Sequence, residues 1–531
     1  MQARAVLFSV LLVLPWLNPF ATGPSPSVVS LLLTLGVVGG LLLVGSWPGY
    51  LFTGRSATER SANAKPANAA DVLAAAWLLA GTASSIAGVI QYFGAAAPLA
   101  PWVNATNLGE AFANLRQRNQ FATLTNIALA SLIWFATRPV RSAHVPRWQP
   151  LLPLLAGLLA VGNAASQSRT GLVQIGLLCA MAVMWGLHRR TAASHVNVRR
   201  VLLTAVLAYA AAATVLPLLI GFDLSSFGIT ARLQAGDAPC SSRLALWSNV
   251  LHLIAQKPWL GWGWGELDYA HFITLYESTG GALRFCDILD NAHNLPLQLA
   301  VELGVPAAVL VCAGLVVWVV RQKPWAEHDA ARQMAWAVLA LIALHSLLEY
   351  PLWYGPFLLA VVLCVWLLGS RTALLRLQIG KNQLANWPIA PIFSALAAML
   401  FIAFATYAAW DYRRISQIYL PPEQRAAAYR DNTLGQISGS WLFADQVAFA
   451  ALLTTPLTAA NAVWSLHTAE SLLHYSPEPR VIEKLVESAV LLGRDEEALV
   501  YLMRYRAAFP KEHARWAKNN QTAPAAAPTA P

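Results

Sequence analysis

The chain has 531 residues, of which 57% are hydrophobic and 12% are charged. A soluble domain is about a quarter charged, so this composition excludes an ordinary soluble protein. It favours a protein with many bilayer-spanning segments, because a charge at the centre of a membrane costs roughly 2.5–3.5 kcal/mol. The formal net charge is +10, but the basic residues lie in short loops between apolar segments, so we predict no nucleic-acid partner.

Apolar segments follow one another along most of the chain, and a segment of about 17–25 residues can cross a bilayer as a helix. The first carries Arg4 and is similar to a signal peptide, but no clean cleavage site follows it, so we predict that it is retained. The pattern predicts an all-α polytopic membrane protein with about 11 (10–13) transmembrane helices. The predicted helices are 5–20, 27–45, 70–93, 120–137, 148–165, 171–188, 200–221, 292–320, 332–350, 354–370 and 387–410.

Basic residues recur in alternate loops between these segments. Because short cytoplasmic loops of membrane proteins are enriched in Lys and Arg, we predict a bacterial inner-membrane protein whose N-terminus and basic loops are cytoplasmic. After an odd number of spans, residue 412 onward is then periplasmic. The residues that set this orientation are Arg4; Arg55, Arg60, Lys65; Arg138, Arg141, Arg147; Arg189, Arg190, Arg199, Arg200; Arg321, Lys323, Arg332; and Arg371, Arg376, Lys381.

The composition divides the chain into three parts. Residues 1–411 form the predicted transmembrane domain, which includes a long periplasmic loop at 222–291. Residues 412–520 have the polarity of a soluble helical domain, and Ala489–Pro510 is similar to a tetratricopeptide-type helical hairpin. Residues 521–531 are rich in Ala and Pro and are predicted to be disordered.

Polar clusters fall on the predicted periplasmic side, and ionisable residues at a membrane edge are candidates for function. They are RQRNQ at 116–120, SQSRTG at 166–171, the long loop with CSSRLALW at 240–247, GWGWG at 261–265 and DNAHN at 290–294, then ELG at 302–304, and HSLLEYPLWY at 345–354. Their order and their shared side of the membrane indicate one functional face.

In this order, the motifs SxSRTG, RxxxW, PxxGxG, AHNxxLQxxxExG and HSxxEYPLxY resemble those of the bacterial O-oligosaccharyltransferases. That family shares a superfamily with O-antigen ligases and Wzy-type polymerases, and the resemblance spans residues 110–360 or so. It implies en bloc transfer of a preassembled glycan from undecaprenyl pyrophosphate to an acceptor hydroxyl on the periplasmic side. It also implies catalytic roles for Arg169, Arg243 and His293.

The HSxxEYPLxY block and the soluble tail favour the protein-glycosylating branch, with a Ser or Thr of a periplasmic or pilin-type protein as acceptor. An O-antigen ligase, whose acceptor is lipid A-core, and a Wzy polymerase are the alternatives among enzymes. A lipid-linked glycan transporter is a further alternative. A transporter is expected to carry polar residues near the middle of the bilayer and paired repeats, whereas these polar clusters share one face.

Arginine suits a reaction in which a pyrophosphate leaves a sugar, because its forked cation matches phosphate oxygens. Arg169 lies at the end of a predicted span, near the phosphate of a membrane lipid. It could instead extend to headgroups without a catalytic role, and Arg243 could be an ordinary loop charge. His293 is the candidate base because imidazole titrates nearest neutral pH, although a lone loop His is often merely exposed. Asn291 and Asn294 could orient its ring.

The remaining candidates are predicted substrate contacts. The two tryptophans could stack on sugar rings, although their glycine-rich sequence is at minimum a tight turn. The Glu–Tyr pair could hydrogen-bond the glycan or orient an Arg or His, and packing of its turn is the alternative. The Arg and Gln before the fourth span could line the entrance for lipid or acceptor. These residues are Trp262, Trp264, Glu349, Tyr350, Arg118 and Gln120.

The sequence contains no Walker A motif, no Cys/His zinc spacing and no DxD-type pair. Asp287 and Asp290 are three residues apart and are interpreted as a solvated edge. We therefore predict a metal-independent reaction without a cofactor.

Cys240 and Cys286 are the two cysteines outside the apolar segments, and both lie in the long loop. The periplasm is oxidising, so two thiols there are expected to pair if geometry allows. The bridge would close a loop of roughly 45 residues and contribute about 3–4 kcal/mol on the chain-entropy model. It would also tether the segments before Arg243 and His293. Two unpaired thiols are the alternative, because sequence does not give their separation.

Overall fold

The computed structural model describes residues 2–20, 24–46, 69–138, 150–186, 192–223, 227–229, 239–276, 283–379 and 390–522. Throughout these ranges the regular structure is helical and contains no β-strand, which confirms the predicted all-α class. The chain forms two compact units, each discontinuous in sequence. The first unit is Met1–Ala235 with Val317–Ala409, and the second unit is Gly236–Val316 with Trp410–Pro531.

The helices of the first unit are long and apolar. Two helices contain a boundary between the units, so each belongs partly to both: α11, Val305–Gln322, and α14, Ala390–Ser416. The helices of the first unit are α1 Gln2–Leu17, α2 Pro26–Ser46, α3 Ala69–Tyr92, α4 Arg118–Ala136, α5 Leu151–Ala165, α6 Arg169–Gly186, α7 Ala192–Leu219, α12 Ala330–Ser346 and α13 Gly355–Ile379.

The helices of the second unit are shorter and come from two parts of the chain. They are α8 Arg243–Gln256, α9 Leu267–Ile273, α10 Leu295–Leu303, α15 Thr433–Ile437, α16 Ala444–Thr454, α17 Ala462–Leu472, α18 Pro479–Leu491, α19 Asp495–Ala508 and α20 Pro510–Thr522. The sequence-based domain division did not anticipate that the long loop and the tail would share one compact unit.

Among the described residues, six helices are long and apolar enough to cross a membrane. The predicted spans at 5–20, 148–165 and 354–370 correspond to shorter apolar helices, and those at 120–137 and 332–350 correspond to α4 and α12. A multi-pass membrane protein follows from these helices. The six candidate spans are Ser27–Val44, Ala69–Tyr92, Arg169–Gly186, Val196–Leu219, Val305–Ala326 and Ala395–Tyr419.

The predicted span at 292–320 is wrong as a single helix. Helix α10 ends at Leu303 and helix α11 begins at Val305, because Gly304 adopts φ +87° and ψ 160°, which no helix can contain. A positive φ of this kind favours glycine. Pro306, the second residue of α11, is well placed to start a helix because the first-turn N–H groups lack helical partners.

Several of the basic residues in the predicted cytoplasmic loops lie outside the described ranges, and the orientation of all these loops stays a prediction. The predicted disordered tail likewise lies outside the described ranges from residue 523 onward. The basic residues concerned are Arg55, Arg60, Lys65, Arg141, Arg147, Arg189, Arg190 and Lys381.

Small residues allow the helices of the first unit to pack closely. A Cβ added to Gly88 of α3 would lie 2.5 Å from the Phe121 ring of α4, and one added to Gly162 of α5 would lie 2.5 Å from Ser85 Oγ of α3. Close backbone approach through small residues is a common way to join helices in membranes. This packing holds α4 and α5 beside α3, and the ends of α4 and α5 carry polar clusters.

The second unit has two separate apolar cores. One core packs α16 to α19 around Leu466, Ile482, Leu485 and Tyr505. The other packs α8 to α10 and includes Val250 and Val301. The predicted hairpin at Ala489–Pro510 corresponds to the end of α18, a turn at Gly493 with φ +69°, and α19.

Candidate functional site

Asn119, the second residue of α4, joins three of the polar clusters in the first unit. Its Nδ2 donates to Glu349 Oε1 at 3.1 Å, and its Oδ1 accepts from the Ser168 hydroxyl at 2.6 Å. Ser168 Oγ also accepts from the Gly171 N–H at 2.9 Å. This set of bonds, the Asn119 bridge, connects the RQRNQ, SQSRTG and HSLLEYPLWY sequences.

Gly171 lies where the SQSRTG sequence enters α6, and the surrounding packing leaves no room for a side chain. A Cβ at Gly171 would overlap Asn163 Oδ1 of α5 and would lie 2.7 Å from the Ala122 Cβ of α4. Asn126 Nδ2 donates to the Gly171 carbonyl at 3.1 Å. The start of α6 is therefore held directly against α4 and α5.

Arg169 is the first residue of α6 and is half-buried. It follows Ser168 of the Asn119 bridge, so the bridge fixes the backbone from which its side chain extends. The first turn of a helix presents N–H groups and a partial positive charge, which favour an anion. A guanidinium at this position adds a full positive charge to the same end of the helix.

A second set of buried polar bonds lies one helical turn further along α4. Thr123 Oγ1 hydrogen-bonds to His345 Nδ1 at 2.9 Å, and Gln174 Nε2 donates to Thr123 Oγ1 and to the Leu341 carbonyl, each at 3.0 Å. Asn126 Nδ2 donates to Gln174 Oε1 at 3.1 Å. The sequence analysis assigned no role to Thr123, Gln174 or His345. Their polarity within apolar segments was the signal that could have identified them.

Arg118 and Gln120 lie at the start of α4, as the sequence predicts, but their surroundings differ from an open entrance. Arg118 forms an ion pair with Glu110 at 2.5 Å. Gln120 is 2% exposed, and its backbone N–H donates to the Gln117 side chain at 2.7 Å. Gln117 thus caps α4. Substrate contact by Arg118 or Gln120 stays a prediction.

Glu349 and Tyr350 lie in the turn after α12. Glu349 is buried, its N–H donates to the His345 carbonyl at 2.8 Å, and its carboxylate belongs to the Asn119 bridge. Tyr350 is partly exposed and its ring stacks on Tyr354 with 6.3 Å between centroids. The Glu349 carboxylate is therefore bonded to Asn119, whereas the Tyr350 ring is partly exposed at the turn.

In the second unit, a disulfide and an indole tie the start of α8 to the segment that precedes His293. Cys240 and Cys286 are bonded, with 5.2 Å between their Cα atoms, and the Cys286 N–H donates to the Cys240 carbonyl at 3.0 Å. Trp247 Nε1 donates to the Ala292 carbonyl at 3.2 Å. The predicted pairing of these cysteines is present in the structure, and it connects the two segments that the sequence analysis expected it to connect.

Arg243 is the first residue of α8 and is half-buried. Ser242 caps this helix, because its Oγ accepts from the Ala245 N–H at 3.2 Å. Arg169 and Arg243 therefore occupy the same kind of position, each at the first residue of a helix that follows a serine. Both helix starts favour binding of an anion.

His293 adopts φ +49°, a conformation that is uncommon for a residue with a side chain. Its N–H donates to Asn291 Oδ1 at 2.7 Å, and Asn294 caps α10 by accepting from the Leu297 N–H at 3.1 Å. Asn291 thus holds the His293 backbone, and Asn294 caps the helix that begins two residues after His293. Orientation of the His293 ring by either asparagine stays a prediction. An unusual backbone conformation held by neighbouring side chains is common at functional sites.

Glu302 holds the glycine- and tryptophan-rich loop in place. Its Oε1 accepts from the Gly265 N–H at 2.9 Å and from Gln298 Nε2 at 2.8 Å, and its carbonyl accepts from the Gly263 N–H at 3.0 Å. Gln298 Oε1 in turn accepts from the Ala292 N–H at 2.6 Å. One chain of hydrogen bonds therefore connects this loop with the residue before His293.

The two tryptophans of this loop have different surroundings. Trp262 donates from Nε1 to the Leu253 carbonyl at 3.0 Å, and the Lys257 ammonium lies 4.0 Å from its ring centroid. Trp264 is 67% exposed. Since one face of Trp262 is covered by Lys257, Trp264 is the better candidate for stacking on a sugar.

Asn249 is the centre of a buried polar cluster that the sequence analysis did not identify. Its Oδ1 accepts from the Phe285 N–H at 2.9 Å and lies 3.1 Å from His271 Nε2, and its Nδ2 donates to the Leu283 carbonyl at 2.8 Å. Burial, with the nearby Arg284 cation, holds the pKa of His271 well below its usual range. His271 lies against the Asn249 amide, which in turn holds the loop before Cys286 through Leu283 and Phe285.

Within the described ranges, no three His, Cys, Asp or Glu side chains are placed to hold a metal ion together. The predicted independence of metal concerns the reaction itself and stays a prediction.

Three family models match successive parts of the chain. The model described as "Protein glycosylation ligase" matches residues 111–136, that described as "O-Antigen ligase" matches residues 154–312, and that described as "Virulence factor membrane-bound polymerase, C-terminal" matches residues 333–524. The first range contains Asn119, the second contains the three predicted catalytic residues, and the third contains Glu349. All the predicted polar clusters thus fall at least partly within matched segments.

Two curated proteins of Acinetobacter baylyi (strain ATCC 33305 / BD413 / ADP1) are similar to this chain. One is named "General O-oligosaccharyltransferase" and is 26% identical over 269 residues, which is 49% of this chain and 44% of that protein. The other is named "ComP-specific O-oligosaccharyltransferase" and is 26% identical over 256 residues, 48% of this chain and 43% of that protein. The chain spans less than half the length of these relatives.

These matches confirm the resemblance that the motifs indicated. The chain is similar to protein O-oligosaccharyltransferases within the superfamily that includes the O-antigen ligases and the Wzy-type polymerases.

Proposed function

We propose that this chain is a membrane glycosyltransferase that moves a preassembled glycan en bloc from undecaprenyl pyrophosphate to a Ser or Thr hydroxyl of a periplasmic or pilin-type protein. The observation that carries the proposal is the similarity to two proteins named as O-oligosaccharyltransferases. The match to the protein glycosylation ligase model over 111–136 points to the same acceptor class.

In the proposed reaction the acceptor oxygen forms a bond to the anomeric carbon of the first sugar. The bond from that carbon to the pyrophosphate oxygen breaks, and undecaprenyl pyrophosphate leaves with the electron pair. His293 takes the proton of the attacking hydroxyl. Its main chain is held by Asn291, which gives the imidazole a fixed point of attachment.

The arginines stabilise the charge that develops on the leaving pyrophosphate. Arg169 and Arg243 each begin a helix, so each combines a forked cation with the positive end of a helix. Such groups speed a reaction when they are fixed before charge develops. The Asn119 bridge fixes the main chain beside Arg169, and the Cys240–Cys286 bond fixes the main chain near Arg243.

The remaining candidates bind and position substrate in this proposal. Trp264 offers an exposed ring to a sugar, while Trp262 supports the loop. Glu349 and Tyr350 form the turn that contacts or orients the glycan. Arg118 and Gln120 are proposed to contact lipid or acceptor at the entrance, which for the buried Gln120 requires that the entrance opens on binding. The reaction is proposed to need no metal or other cofactor.

The proposed topology has eleven spans, with α11 alone replacing the predicted 292–320 segment, so the orientation of every loop is unchanged. The N-terminus is cytoplasmic and residues 412–520 are a soluble periplasmic domain. Reporter fusions at Lys65, Arg190 and Arg371 should read cytoplasmic, and fusions at Ala235 and Glu483 periplasmic. A cytoplasmic reading at Glu483 would make the span count wrong and remove the tail from the acceptor side.

An O-antigen ligase is the second candidate function. It is favoured by the match to the O-antigen ligase model over 154–312, the range that contains Arg169, Arg243 and His293. A ligase of that kind would use the same donor chemistry but a lipid A-core acceptor. A polymerase is the third candidate because of the match over 333–524.

Co-expression with a lipid-linked glycan pathway and a candidate pilin tests these functions. We expect glycan on the pilin, detected by a mass increase on a Ser or Thr peptide, and no transfer by the His293→Ala variant. Glycan found on lipid A-core and not on the pilin would support the second candidate instead. Absence of transfer to either acceptor, with the donor present and the protein inserted, would contradict the proposal.

A further inference from the structure

The Pro258–Leu260 turn between α8 and the tryptophan-rich loop presents large apolar side chains to the surroundings. Trp259 is 76% exposed and Leu260 is 85% exposed. They belong to the same compact unit as the disulfide and the His293 segment. Adjacent apolar side chains this exposed on an ordered turn indicate an interaction surface.

This turn is fixed to the first residue of α11. The Val305 N–H donates to the Pro258 carbonyl at 2.8 Å. A Cβ on Gly304 would overlap the Trp259 carbonyl oxygen and would lie 2.8 Å from the Leu260 nitrogen. The turn therefore cannot move independently of the start of the helix.

Helix α11 begins a candidate membrane span, Val305–Ala326. Ala308 is its buried residue, while Val309 and Leu310 are 59% and 75% exposed. A helix this apolar with so little protein cover is stable only in lipid. Val305 is the first residue of this candidate span, so it would lie close to one boundary of the hydrocarbon, and the Pro258–Leu260 turn bonded to it would lie at the same boundary.

We infer that the Trp259–Leu260 turn is inserted in the membrane interface, with the lipid headgroup and upper acyl region as its partner. Trp prefers this region because its ring is apolar and its N–H is polar. Lys257, just before the turn, is exposed and its ammonium lies over the Trp262 ring, so a positive charge stands beside the turn and would favour anionic headgroups.

The inferred contact would set the height of the next loop above the lipid. Gly261 follows Leu260 directly and has φ +70°, and exposed Trp264 lies three residues further on. If the proposed function holds, this places Trp264 near the level of a lipid-linked pyrophosphate. The membrane contact itself rests on the multi-pass architecture and not on the transfer activity.

Spin-label accessibility in liposomes tests the contact. Cys179, Cys312 and Cys364 are replaced by Ala, the Cys240–Cys286 bond is kept, and a nitroxide is attached at Leu260→Cys or, separately, Trp259→Cys. Leu491→Cys is the matched control, because Leu491 is an apolar residue of the soluble tail that is 51% exposed. Each full-length variant is checked for the intact disulfide by mass spectrometry of non-reduced peptides.

We expect oxygen, which concentrates in the bilayer, to relax labels at 259 and 260 several-fold more than a water-soluble nickel chelate does. The label at 491 should show the opposite ratio. Nickel relaxation at both 259 and 260 equal to that at 491 would overturn the inference. Lipid-buried labels combined with unchanged transfer by His293→Ala would keep the membrane contact and reject the proposed chemistry. Labels at 259 and 260 that are exposed to water, combined with transfer that is lost in His293→Ala, would reject the membrane contact and keep the proposed chemistry.

Discussion

The Asn119 bridge in the first unit and the His293 segment in the second unit fix polar residues in different ways. Around Asn119, side chains bond to side chains of distant helices, as Asn119 does with Glu349. Around His293, side chains bond to backbone N–H groups, as Asn291 does with His293 and Glu302 does with Gly265.

The difference follows from the backbone in each region. Most main-chain groups of a helix are already bonded to one another, so polar side chains buried between helices pair with each other or add a bond to a helix carbonyl, as Gln174 does with Leu341. Loop backbone has unpaired N–H and C=O groups that must find partners, and polar side chains supply them. Substitutions near Asn119 should therefore act on helix packing, and substitutions near His293 should act on loop shape.

The largest expected effect is the loss of the proposed base. His293→Ala should lower the transfer rate by at least about 100-fold, because a positioned general base contributes about that much or more. Transfer of glycan to pilin is measured by intact mass, with protein amount normalised. His467→Ala, at a residue whose side chain is 68% exposed, is the matched control and should keep normal activity. Near-normal transfer by His293→Ala would remove it as the base.

The next effect compares the two helix-starting arginines, one in each unit. Arg169→Lys and Arg243→Lys keep the charge but lose the forked pair of donors. Each should lower transfer about tenfold, as expected when roughly 1.4 kcal/mol of leaving-group stabilisation is lost.

Arg480→Lys is the control for these variants, since its side chain is 64% exposed in the tail, and it should have no effect. Normal rates for both Arg169→Lys and Arg243→Lys would show that simple charge attraction is enough. A loss for one arginine alone would assign the pyrophosphate to that unit.

Removal of the Cys240–Cys286 bond tests how the loop backbone is held. The double Cys→Ala variant should lower the free energy of unfolding of the second unit by about 3–4 kcal/mol on the chain-entropy model, because the bond spans 46 residues. Thermal unfolding in detergent measures this, with Cys179→Ala as control. Free thiols at both positions, found by alkylation before lysis, would contradict the pairing.

Asn119→Ala tests the side-chain bonding in the first unit. It leaves Glu349 and Ser168 without the bonds that Asn119 supplies, and an unsatisfied buried polar group costs about 1–3 kcal/mol. Thermal stability should fall by several degrees and transfer should fall with it. Asn107→Ala removes a comparable amide bond to Glu110 at an exposed site and should change stability little. Equal behaviour of the two variants would show that the bridge is not stabilising.

A further expected effect is a pH dependence of stability in the second unit. Burial, with the nearby Glu266 and Asp290 charges, raises the pKa of Asp268 to about 7. The unfolded value is about 3.9, so the folded state binds the extra proton, and stability from this group falls as pH rises from 4 to 7. Asp268→Asn should therefore raise the unfolding temperature at pH 8 and leave it unchanged near pH 4. Asp287→Asn, at an exposed position, is the control.

The sequence predicted most of the helices because their apolar segments are long and continuous. It missed the break at Gly304, although a glycine two residues before Pro306 is a signal that a helix ends and another begins. The predicted segments before and after it, at 200–221 and 332–350, are helical as expected. The union of the long loop with the tail in one compact unit depends on contacts between residues far apart in sequence, which periodicity does not report.

The polar clusters of the candidate site could be predicted from the sequence, but the hydrogen bonds between these clusters could not. The order of the motifs indicates Arg169, Arg243 and His293 as catalytic candidates, and those roles stay predictions. Asn119 was one polar residue among five in RQRNQ. Its role depends on the distance to Glu349, 230 positions later. The sequence also treated Trp262 and Trp264 as equivalent, and the position of Lys257 over one ring distinguishes them.

The packing around Gly171 limits which insertions and deletions this protein can accept during evolution. Since Gly171 fits against Asn163 and Ala122 with no space for a methyl group, an insertion or deletion between Ser168 and Gly171 would displace helix α6 as a whole. Surface loops elsewhere tolerate changes in length far more easily. Natural variants should therefore differ in loop lengths while the spacing within SxSRTG stays the same, and inserting one alanine after Thr170 should abolish accumulation of the protein in the membrane.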